Sequence, residues 1–221
     1  MKKVIAIVLA IVICVTLTGC GGNKKAFEES KLAYNYIDVA YEITEEFGDM
    51  LYEAWRLGIY HQNEIIVNGI EYLAEELSLS KEDVENGLGY AYADMMGDDW
   101  FTMTDEEKSR IKYIENSLFS IYKNNLFSFC VMIIRGVYIV NGKTEEAQRA
   151  LDNAKAQMKR LSENYSDYEH YPNLKGYYTT TSSFFDFCQN PTGSFEQIKT
   201  TVNDYKNEAR DYMSDLDYIF E

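Results

Sequence analysis

The chain reads as all-α, and three observations carry that expectation. Apolar residues recur at steps of three and four through almost every segment after residue 25, the spacing that places them on one face of a helix. Only two prolines, Pro172 and Pro191, occur in 221 residues, and proline is the residue that most surely breaks a helix interior. Helix-start signatures stand at Ser80-Lys81-Glu82-Asp83, Thr104-Asp105-Glu106-Glu107 and Ser194-Phe195-Glu196-Gln197, where a hydroxyl can satisfy a free amide of the first turn. The expected architecture is an elongated bundle of about six or seven helices.

The first helix is expected over 26–60, because Leu32, Tyr36, Val39, Ile43, Phe47, Met50, Ala54 and Leu57 form one stripe. Glu28, Glu29, Asp38, Glu42, Glu45, Glu46, Asp49 and Glu53 fill much of the other side and read as a solvated face. A shorter helix over 65–77 carries Ile66, Ile70, Leu73 and Leu77, and one capped by Ser80 runs to about Met96. Gly87 and Gly89 weaken the latter by roughly 1 kcal/mol each relative to Ala. Thr104 opens the longest helix, running to about Val140. Its first half is amphipathic, but from Leu126 it is apolar on nearly every side, so the helix around 104–140 is expected at the centre of the bundle. Arg135 and the short apolar run weigh against a membrane span there.

Asn141-Gly142 supplies a turn. The next helix keeps a four-three alternation through Ala147, Leu151, Ala154, Met158, Leu161 and Tyr165, with alanines that let a neighbour come close. An aromatic linker, Tyr165–Pro172, leads to a helix carrying Leu174, Tyr177, Tyr178, Thr181, Phe185 and Cys188. Gln189–Gly193 breaks the chain. The last helix then holds a seam of Phe195, Ile198, Val202, Tyr205, Ala209, Tyr212, Leu216 and Ile219.

Composition narrows the function classes. The formal net charge is −15, and a field of that sign repels nucleic acid. Gly-x-Ser-x-Gly, His-Glu-x-x-His, phosphate-loop and dinucleotide fingerprints are all missing from the sequence. Neither His61 nor His170 has metal-ligand spacing, and Asp98-Asp99 lacks the alternating ligands of a calcium loop. No metal or cofactor is therefore expected, nor is catalysis. Cys130 and Cys188 read first as small buried hydrophobes, with a disulfide between them as the alternative. Tyrosine occurs 19 times. Most positions lie on helix seams, but Trp100, Phe101, Tyr168 and Tyr171 fall in expected turns, where exposed rings would form a binding surface for a protein or cell-wall component.

The N-terminus gives the location. Lys2 and Lys3 precede an apolar run, Val4–Val15, that is short of the roughly 20 residues a spanning helix needs. Small residues then lead to Leu17-Thr18-Gly19-Cys20. This tetrapeptide resembles the lipobox of bacterial lipoprotein precursors. The resemblance implies a signal peptide over 1–19, cleavage between Gly19 and Cys20 by a lipoprotein signal peptidase, and diacylglyceryl and fatty-acyl (palmitate-type) modification of Cys20. Two acyl chains would fix the protein durably to the outer face of the cell membrane. Loss of Lys2 and Lys3 would take the net charge from −15 to −17. Residues 20–25 are expected to be the lipidated cysteine and a flexible tether, and 26–221 a single helical domain. The blocks Tyr171-Pro172-Asn173-Leu174-Lys175, Pro191–Gln197 and Asp215–Tyr218 resemble a group of uncharacterised helical lipoproteins of Gram-positive bacteria, which implies a surface location and no activity. The expected function is a non-enzymatic binding module at the cell surface. The alternatives are an envelope enzyme built on scattered carboxylates and a phage-exclusion type of surface lipoprotein.

Overall fold

A computed structural model describes residues 22–220, and among them every regular element is helical. In chain order these are α1 Gly22–Tyr60, α2 Gln62–Glu76, α3 Lys81–Met96, α4 Asp105–Ile121, a 3-10 turn at Lys123–Asn125, α5 Leu126–Val140, α6 Lys143–Asn164, α7 Tyr171–Gln189 and α8 Phe195–Phe220. The expected signal peptide, 1–19, and Cys20 lie outside the described residues.

Local signals act where they stand in the sequence. Ser80 Oγ accepts from the Asp83 N–H at 3.0 Å. Thr104 and Glu107 form a reciprocal capping box, each side chain accepting from the other residue's backbone N–H. Ser194 and Gln197 repeat the exchange at the start of α8. Gly142 turns the chain between α5 and α6 at φ 71°, a left-handed conformation that glycine adopts without steric cost.

Two expectations need correction. The single helix over 104–140 is two, which raises the count among the described residues to eight α-helices. The break falls at Tyr122–Asn125, where Asn125 takes φ −139° and ψ 37°. The apolar faces on its two sides serve different partners. α4 turns Ile111, Leu118 and Phe119 inward against α2 and α3, whereas α5 packs on α1 and α3. One straight helix cannot meet both sets, and Lys123-Asn124-Asn125, exposed throughout, is the stretch with least to lose by bending.

The centre also moves, from 104–140 to α1. This helix starts at Gly22 rather than Ala26 and has 39 residues, about 58 Å at 1.5 Å each. It touches α2, α5, α6, α7 and α8. Ala33, Ile37, Ala40, Phe47, Leu51, Ala54 and Leu57 on it are sealed from solvent, and the alanines let neighbouring backbones approach. α5 keeps its expected burial through Phe129, Cys130, Ile133, Ile134 and Val137. Among the described residues, Lys123–Val140 is long and apolar enough to cross a membrane, but half of it is buried inside the bundle, as a core helix would be.

Cross-contacts set the directions along α1. Phe47 stacks on Tyr138 and Trp55 on Phe127, so α5 runs antiparallel to it. Lys143 lies beside Glu46, and α6 descends from there toward the start of α1. α7 runs back parallel, Tyr177 lying beside Tyr34 and Tyr41 while Phe184 presses on Gly48. α8 is antiparallel, from Phe195 against Tyr52 to Phe220 against Phe27. One end of the bundle therefore gathers the start of α1, the α6–α7 link and the end of α8. The helices α2, α3 and α4 pack around the other half.

Candidate functional site

The densest polar arrangement follows the seam of α1 with α7 and α8. Tyr177 donates its hydroxyl to Asp38 Oδ1 at 3.2 Å, and Tyr34 donates to Asp217. Further along, Lys206 Nζ lies 2.7 Å from Asp49 and 3.3 Å from Glu45, while Arg210 Nη2 lies 2.7 Å from Glu45. These contacts correct the reading of the acidic side of α1 as a solvated face, since Asp38, Glu45 and Asp49 are used to seat α7 and α8. Burial raises the Asp38 carboxyl above the usual carboxylate range, and the negative charges of Glu42 and Asp217 add to it. Burial, then the adjacent Asp38 charge, holds the Tyr177 hydroxyl protonated far into the alkaline range. Tyr41 is raised likewise by burial and by Glu45. Two of these tyrosines, Tyr177 and Tyr34, donate to carboxylates across helix seams, which fixes helix register. The signal for it in the sequence was Lys206 and Arg210 at i, i+4, matching an acidic stripe elsewhere.

The four aromatic candidates separate. Trp100 is buried at 8% exposure, its ring seated over Gly89 and beneath the Lys108 ammonium at 4.9 Å. It closes a small second core with Ala93 and Ile111, so it is removed from the binding surface. The physical reason is that Gly89, having no side chain, leaves a hollow that an indole fills. Phe101 beside it is 61% exposed. Asp99 holds that turn by accepting the Phe101 N–H at 3.0 Å. Tyr168 in the α6–α7 link and Tyr171 at the start of α7 are half-buried and remote from Phe101, with Tyr168 edge-on to His170 and Tyr171 packed against the main core.

Phe101 has company that the sequence did not reveal. Tyr60, Val67, Met96, Tyr113 and Ile121 are also more than 60% exposed. All six fall within 60–121, around the C-terminal half of α1. An open hollow of about 440 Å³ on α2 is lined by Val67, Tyr72 and three glutamates, Glu64, Glu71 and Glu75. It lies where Asn68 departs from helical geometry, at φ −149° and ψ 50°. His61 Nδ1 and the Tyr72 hydroxyl are 2.8 Å apart at its edge.

Cys130 and Cys188 are both free and fully buried, which overturns the disulfide alternative. Cys188 lies against α1 at Thr44, one turn from where Phe47 stacks on Tyr138 of α5, and Tyr138 is two turns away from Cys130, about 12 Å along the helix. A disulfide needs Cα atoms within roughly 7 Å. The Cys188 thiol instead points at the Thr44 carbonyl, 3.8 Å away.

No family model matches the chain, and neither the curated proteins nor the solved structures contain a match. The fold and its surfaces define a class at the level of architecture: an all-helical bundle whose polar seam locks its own helices and whose large exposed apolar side chains, Tyr218 apart, fall within 60–121.

Proposed function

We propose that this chain is a membrane-anchored extracytoplasmic lipoprotein, held through Cys20, that acts as a non-enzymatic binding module. The observation that carries the binding role is the gathering of Tyr60, Val67, Met96, Phe101, Tyr113 and Ile121 in one segment, roughly 30 Å or more along α1 from its anchored start. Large apolar side chains left in water, when several belong to one part of a fold, mark interaction surfaces. The non-enzymatic reading is supported by the use of the perturbed groups: Asp38 and Tyr41 of α1 face Tyr177 of α7 across the helix seam.

The anchor and the binding role are tested separately. Labelled fatty acid supplied to cells expressing the full precursor should enter the protein and fail to enter Cys20→Ser; equal labelling of both rules out the anchor. A photo-crosslinking residue at Val67, Phe101 or Tyr113 in the same cells should trap one discrete adduct. The same residue at the exposed positions Gln148 and Asp152 of α6 should trap none. Equal adducts at both sets, or none at either, would remove the binding face.

A further inference from the structure

The end of the bundle nearest the anchor carries a second surface. Gly22 opens α1 two residues after Cys20, so the chain between them spans at most about 7 Å, whatever its conformation. An acylated Cys20 therefore keeps the first turns of α1 within reach of the lipid headgroups. The elements that share this end are known from their contacts. Lys31 donates to the Phe220 carbonyl, Phe27 lies 5.6 Å from Phe220 ring to ring, and Asn173 is bonded to Asp215. α6 reaches the same end because Asn164 is as many residues past Lys143 as Lys25 is before Glu46, and Lys143 and Glu46 are neighbours. Tyr218, 94% exposed, and half-buried Tyr168 thus stand beside the first turns of α1. The charges at this end are mixed: Lys24 and Lys25 are exposed, and so are Asp167, Glu169 and Asp215.

We propose that this end rests on the bilayer, with Tyr168 and Tyr218 seated among the lipid headgroups. The proposal rests on the lipoprotein reading of Cys20. Tyrosine suits the position because its ring favours the apolar side of the interface and its hydroxyl the wet side, and such rings gather at headgroup level in membrane proteins. With charges of both signs present, the rings carry the contact. A link this short also lets α1 lean until the rings touch, so the anchor sets distance and the tyrosines set tilt.

Tryptophan reports the contact. Trp55 and Trp100, the two natural tryptophans, are buried and belong to the half remote from the anchor. The full-length protein is purified from membranes, its Cys20 acylation is read by mass, and it is placed in phosphatidylcholine vesicles whose acyl chains carry bromine. Wild-type fluorescence should be unaffected by bromine. The fluorescence added by Tyr218→Trp or Tyr168→Trp should fall by about twofold or more, as expected for an indole at the interface. Acylated protein in which neither added indole is quenched overturns the docking and leaves the anchor intact. Protein without an acyl group overturns both.

Discussion

The backbones of Gly87 and Gly136 meet where α3 crosses α5, so closely that a Cβ on Gly136 would lie 2.4 Å from the Gly87 carbonyl oxygen. The reverse substitution meets the Ile133 carbonyl at 2.5 Å. What obstructs in both directions is backbone, which cannot swing aside as a side chain can. Gly136→Ala should therefore destabilise the fold by about 1–3 kcal/mol, the usual range for overpacking, even though Ala is the better helix former. Urea unfolding measures it. A midpoint equal to or above that of the parent would show that the helices can separate freely.

Asp38 gives the fold a pH dependence of known sign. Its carboxyl is raised by burial above the reference value of 3.8, so the folded state holds its proton more tightly than the unfolded chain does. That contribution is complete below pH 3.8 and is lost as the pH rises through the folded-state value. Asp38→Asn keeps an oxygen for the Tyr177 hydroxyl to donate to and removes the ionisation. Its stability relative to the parent should improve steadily from acid toward neutral pH. Chemical unfolding at both ends of that range tests the sign, and a variant that loses ground toward neutrality would show that Tyr177 needs a charged acceptor.

The two buried thiols should be inert until the protein unfolds. Burial pushes Cys130 up to about 12 and raises Cys188 well above its ordinary value, leaving almost no thiolate to react at neutral pH. A soluble form spanning residues 22–221 should give no reaction with a thiol reagent when native and two equivalents in denaturant. Serine at the two positions should differ. At Cys188 the hydroxyl inherits the Thr44 carbonyl as acceptor. At Cys130, whose surroundings are apolar side chains of the main core, an extra buried hydroxyl costs about 1–3 kcal/mol.

What could be read from the sequence was what neighbouring residues decide among themselves. The caps at Ser80, Thr104 and Ser194, the turn at Gly142 and the seams of α6 and α8 depend on spacing within a few residues, and they stand as expected. Features set across the fold were hidden. The bend after Tyr122 follows from which helices flank each side of it. Gly87 looked like a weak point in α3 because its purpose lies on α5. Trp100 and Phe101 are adjacent, equally aromatic and in the same turn, yet one is buried and the other exposed, a difference fixed by the hollow at Gly89. The acids of α1 show their role only once Lys206 and Arg210 are brought against them.

The pairing of Phe27 with Phe220 joins the first described helix to the last, and that bears on when the protein can fold. Loop-closure entropy makes contacts between distant parts of a chain late ones. Until residue 220 has been synthesised and has emerged, the surfaces of α1 and α7 that α8 covers stay open. Until then the growing chain carries its longest helix unpaired along one side, and the final helix closes the bundle only after release from synthesis. A truncation that removed α8 would thus yield a protein that holds most of its core and sticks to its own kind.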